Sequence, residues 1–134
     1  MKKYGFAALL TVLCLTMVTT AYALGYSMYQ TGSVNLSQGS SKTFGAYDVD
    51  GTNLAAQTNV TSASYVNGSV TIQYSAQKCT LGGIICGSAS STNVNVSSGG
   101  WVGGIWNGVS PGSYKFTFKA VKGSFKANVR MYDF

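Results

Sequence analysis

The chain has 134 residues, of which nine are Lys or Arg and three are acidic, with no histidine and a formal net charge of +6. The acids are Asp48, Asp50 and Asp133, so general acid–base chemistry, which needs a histidine or a close carboxylate pair, has little to work with. Serines are plentiful, but nothing stands by to activate one as a nucleophile, and an enzyme is not expected.

Residues 1–23 read as a secretion signal. Lys2 and Lys3 precede an apolar run from Phe6 to Val18, and Ala21-Tyr22-Ala23 places small residues where a signal peptidase cuts. The run is shorter than the roughly 20 residues of a membrane span, and the short basic start is of bacterial type. Cleavage after Ala23 removes Cys14, Lys2 and Lys3 and leaves one secreted domain, residues 24–134. Cys79 and Cys86 remain, and an even pair at short spacing in an exported chain reads as a disulfide. Closing so short a loop contributes about 2.5 kcal/mol in the chain-entropy model. With no histidine to complete a zinc site, no metal or other cofactor is expected. Asp48 and Asp50, with Asn53, are the one candidate calcium turn, of a kind that also occurs constantly without metal.

In chain order, Leu24 to Leu36 suggests a first strand region broken at Gly32. Gln38 to Ser41 is a turn, and Lys42 to Val49 a second strand carrying Phe44, Ala46 and Tyr47. Asp48 to Asn53 turns the chain again. Asn67-Gly68, the dipeptide a type I′ turn prefers, predicts a hairpin within Thr58 to Ala76, pairing Tyr65 with Val70 and Ala63 with Ile72. Between the cysteines, Thr-Leu-Gly-Gly-Ile-Ile is either an exposed apolar tip or a loop folded over the core. Thr92 to Val96 alternates again, and Trp101 to Trp106 follows a Ser-Gly break. Pro111-Gly112 feeds Tyr114, as in a tyrosine corner, where the ring packs at the sheet edge and the hydroxyl seeks a backbone acceptor. Seven or eight short strands with turn signals between them predict an antiparallel β-sandwich or jelly roll.

The strongest alternation lies at the C-terminus. Tyr114, Phe116, Phe118 and Ala120 alternate with polar residues, as do Phe125, Ala127, Val129 and Met131, with Gly123 between. Read as a hairpin, Ala120 faces Phe125 and Phe116 faces Val129. Lys115, Lys119, Lys126 and Arg130 then share the other face, a candidate site for an anionic partner or a lysine-protected edge. The tryptophans Trp101 and Trp106 either cap the core or form an aromatic platform for sugar rings or a membrane interface.

Export and the separation of rings from cations argue against nucleic acid. The cations on the last strand argue against a membrane barrel. The expected function is therefore a secreted, non-enzymatic protein whose basic C-terminal hairpin binds anionic cell-wall polymer or a membrane surface. Small size, cationic character and glycine-rich flexibility also suit a bacteriocin-like toxin. Low charge with abundant Ser, Asn, Gly and Tyr suits a self-assembling filament or matrix subunit that exchanges its first strand between neighbours.

Overall fold

The computed structural model describes residues 27–134, so the secretion signal expected over residues 1–23 lies outside the described residues. Eight strands follow in order: β1 (Ser27–Leu36), β2 (Ser41–Val49), β3 (Asn53–Ser64), β4 (Val70–Thr80), β5 (Ile85–Val96), β6 (Trp101–Asn107), β7 (Gly112–Lys122) and β8 (Ser124–Asp133). They form two four-stranded sheets ordered β1-β8-β3-β6 and β2-β7-β4-β5, all pairings antiparallel. The first strand pairs with the eighth, the second with the seventh, the third with the sixth and the fourth with the fifth, as in one long hairpin rolled upon itself. The β3–β8 and β4–β7 ladders complete each sheet. This order is the eight-stranded jelly roll, an all-β sandwich of the expected size.

The alternation that predicts the strands is what fills the core. Tyr114, Phe116, Phe118 and Ala120 of β7 are buried, as are Phe125, Ala127, Val129 and Met131 of β8, and Leu54 of β3 and Ile72 and Tyr74 of β4 join the same core from the neighbouring strands. Phe118 meets Phe44 and Tyr74 edge-on, with ring centres 5.8 Å apart in both pairs, the arrangement ring quadrupoles favour. Tyr114 makes the expected corner, its hydroxyl donating to the carbonyl of Ser110 at 2.7 Å. Gly32 does not break β1; it continues the ladder opposite Val129.

Two expected pairings do not form. The C-terminal strands are not a hairpin: β7 lies between β2 and β4, and β8 between β1 and β3. Only Gly123 separates them, too short a link for a two-residue hairpin turn. Gly123 has φ 75°, and a Cβ there would come within 2.7 Å of the Ser64 carbonyl oxygen and 2.8 Å of Val70 Cγ1. The chain therefore steps from one sheet to the other, and the two apolar faces meet across the core instead of lying side by side. This arrangement also removes the like-charge pairs, Lys119 opposite Lys126 and Lys115 opposite Arg130, that the hairpin would have imposed.

The second correction concerns Asn67-Gly68. The turn is present, with φ 53° and 80° at its two residues, and Val66 and Ser69 exchange backbone hydrogen bonds across it. Beyond that single bridge the strands part into different sheets, so Ala63 pairs with Phe125, Ile72 pairs with Ala120 and Val94, and Tyr65 stands exposed in the connection.

Candidate binding face

With β7 and β8 in opposite sheets, their outward side chains point away from one another. Lys115 and Lys119 lie on the outside of the β2-β7-β4-β5 sheet, and Lys126 and Arg130 on the outside of the other. The expected four-cation face is thus two pairs on opposite sides of the sandwich. Around Lys115 and Lys119 the polar groups bond among themselves. Thr43 and Thr117 hydroxyls lie 2.9 Å apart, Ser75 and Ser91 hydroxyls 2.7 Å apart, and Thr71 donates to Asn95 Oδ1 at 2.7 Å.

The β1-β8-β3-β6 face is built differently. Its rows, read across the strands, are Thr31-Arg130-Gln57-Gly103, then Ser33-Asn128-Asn59-Trp101, then Asn35-Lys126-Ser62. Arg130 is at the centre. Its Nε donates to Gln57 Oε1 at 2.7 Å, and its guanidinium carbon sits 4.1 Å from the Trp101 ring centre and 5.8 Å from that of Tyr132. One end of the guanidinium is fixed and its plane is held by rings, while its terminal nitrogens donate to no acceptor among the described residues. An Arg held in this way presents a pre-set fork to a carboxylate or phosphate.

Lys126 stands four residues away on the same strand, roughly 13 Å along it at the usual rise per residue. It lines two adjoining hollows of about 230 and 390 Å³, the first with Asn35 and Ser62, the second with Asn35, Thr61 and Asn128. An irregularity in the β3–β8 ladder between Val60 and Ser62 shapes this end of the face, and the Thr61 hydroxyl donates to the Lys126 carbonyl at 3.2 Å. Asn59 anchors the neighbouring connection, its Oδ1 accepting the Gly100 amide at 3.0 Å.

Trp101 and Trp106 do not form one platform. They are five residues apart on one strand, so they face opposite ways: Trp106 packs against the core and Trp101 stands outside, 39% exposed. That odd spacing was a legible signal. Gln57 carried none, because an amide among many acquires meaning only once β3 lies beside β8. Asp133, next to Arg130's neighbours in sequence, turns inward and accepts the backbone amides of Asp50 and Gly51 at 3.1 and 2.7 Å. Asp48 accepts the Ser113 hydroxyl at 2.9 Å, and among the described residues no three acidic, Cys or His side chains gather as a metal site would need.

Cys79 and Cys86 form the expected disulfide, facing one another at the end of the β4–β5 hairpin with Cα atoms 4.0 Å apart. A disulfide is compatible with an extracellular protein. Of the two readings of the enclosed loop, the structure takes the exposed tip: Leu81, Ile84 and Ile85 project into solvent. No family model matches the chain, and no curated protein matches it significantly.

Proposed function

We propose that this is a secreted, non-enzymatic protein that binds an acidic polysaccharide or similar cell-envelope polyanion across the outside of the β1-β8-β3-β6 sheet. The observation that carries the reading is Arg130, half-buried on the sheet face, pinned by Gln57 and flanked by Trp101 and Tyr132, with no acceptor for its terminal donors among the described residues. Arg130 takes a carboxylate or phosphate oxygen pair, Lys126 a second charge farther along the strand, and the side-chain amides of Asn35 and Asn128 serve hydroxyl groups between them. A polymer suits this face better than a lipid surface. Its amides lose water at a cost unless a ligand hydrogen-bonds them, which sugar hydroxyls do and acyl chains do not.

The test is retention on immobilised heparin and on polygalacturonate, with neutral dextran as control, across a salt series. Retention on both polyanions should fall steeply with salt. Arg130→Ala and Lys126→Ala should each weaken binding about tenfold or more, the scale of a lost charge-assisted hydrogen bond. Lys115→Ala and Lys119→Ala, on the other side of the molecule, should change it far less. Salt-independent retention, or equal losses from the two pairs, would sink the proposal.

A further inference from the structure

The apex of the β4–β5 hairpin is a rigid apolar knob. Leu81, Ile84 and Ile85 are 69%, 82% and 58% exposed, the three most exposed large hydrophobic side chains among the described residues. Several features hold them there. The Cys79–Cys86 disulfide clamps the base, and the Ile84 amide donates to the Thr80 carbonyl at 3.2 Å. Gly83 is seated on the body of the domain, where a Cβ would come within 2.9 Å of the Ala46 methyl and 3.3 Å of Lys115 Cε. Leu81 adopts φ 53°, a left-handed conformation unfavourable for a branched side chain and maintained by the surrounding turn. A loop free to fold its leucine and isoleucines onto the sheet would do so, since exposing them forfeits the hydrophobic stabilisation of burial.

We propose that this knob inserts into the surface of an anionic lipid bilayer. Cations stand one step behind the apolar apex: Lys115 runs its aliphatic stem beneath Gly83, and Lys78 lies just before the disulfide, its Nζ donating to Ser110 Oγ at 2.7 Å. Asp48 is the acidic side chain in the adjoining rows, and it already accepts the Ser113 hydroxyl. Apolar residues leading and lysines following is the layering of a surface-inserted segment, with the stems crossing the interface and the ammonium groups at the phosphates. A protein partner suits the knob less well. Three aliphatic side chains on a convex tip fall far short of the roughly 800 Å² per partner of a stable interface, and they lack the aromatic and Arg anchors that dominate such contacts. The same shortfall argues against a second copy of this chain.

This site is separate from the Arg130 face and uses none of its residues. The experiment is flotation of the purified protein with vesicles of phosphatidylglycerol mixed into phosphatidylcholine, and with phosphatidylcholine alone. The native protein should float with the anionic vesicles and much less with the neutral ones. The double variant Leu81→Ser, Ile84→Ser should lose that binding about tenfold or more, while melting like the native protein, since both side chains are already in water. In Ile84→Trp, the added fluorescence should shift to the blue with anionic vesicles and be quenched by brominated acyl chains. Failure of the native protein to float, undiminished flotation of the serine variant, or an unshifted Ile84→Trp signal would each overturn the proposal. None of these bears on polymer retention, so the two readings fail independently.

Discussion

Tyr74 shows how much one side chain decides in this sandwich. Its ring is wholly buried on β4, and its hydroxyl meets that of Thr58 on β3 at 2.7 Å, a hydrogen bond that joins the two sheets through the core. A hydroxyl in this position is tolerated because its partner is also buried and points at it. Burial pushes the Tyr74 phenol up to about 12, with the Thr58 hydrogen bond acting in the other direction. The consequence for stability has a definite sign. Below pH 10 the phenol is neutral in both folded and unfolded chains and stability is unaffected. Between about 10 and 12 the unfolded phenol ionises while the folded one does not, so stability falls with rising pH, by on the order of 3 kcal/mol at the end of that window. Urea denaturation at a series of alkaline pH values should show this slope, and Tyr74→Phe should flatten it.

At the scale of elements, β4 and β5 are, among the described residues, the one pair of consecutive strands that also hydrogen-bond along their length, from Val70 opposite Val96 to Thr80 opposite Ile85. Every other connection crosses from one sheet to the other. The disulfide therefore closes a local loop in a fold held together by distant pairings. Its removal should be modest in effect: Cys79→Ala with Cys86→Ala should lower stability by about 2.5 kcal/mol at most, measured by thermal or urea unfolding. The ladder from Val70 to Gln77 persists without it, and the change should be confined to Leu81–Ile85, readable as faster amide exchange there. A collapse of the whole sheet on reduction would contradict this account.

At the scale of the molecule, closure of the sandwich depends on β1. Among the described residues it is an edge strand paired with β8 alone, yet Val34 and Leu36 are buried in the core. A filament subunit that lends its first strand to a neighbour was one expectation for this chain, with the remaining domain staying folded. The packing argues for a different outcome of truncation. Ending the chain's N-terminus at Ser37 removes two core side chains, together about 3–6 kcal/mol of burial, and leaves β8 with an unpaired edge. With ordinary domain stabilities of about 5–15 kcal/mol, such a truncated protein should be aggregated or only partly folded by light scattering and circular dichroism. Addition of a peptide spanning Ser27–Leu36 should restore a soluble monomer. A truncated chain that remains monomeric and fully folded alone would show that β1 is dispensable.

The strands, their inward sides, the tyrosine corner and the disulfide were legible in the sequence because each depends on residues a few positions apart. Period-two alternation marks Phe116 and Phe118 as buried whichever strand lies alongside them. Asn67-Gly68 and Gly123 likewise announce a change of direction. Which strand each turn delivers the chain to is another matter. A hairpin and a step between facing sheets bury the same alternate residues, so the pattern is identical for both. Tertiary structure decided between them by giving both wide apolar faces of β7 and β8 something to bury against. That choice separated Lys115 and Lys119 from Lys126 and Arg130, and it brought Gln57 and Trp101 to Arg130 from strands remote in sequence. The sequence by itself determined what is inside; only the pairing of distant strands determined which outward residues share a face.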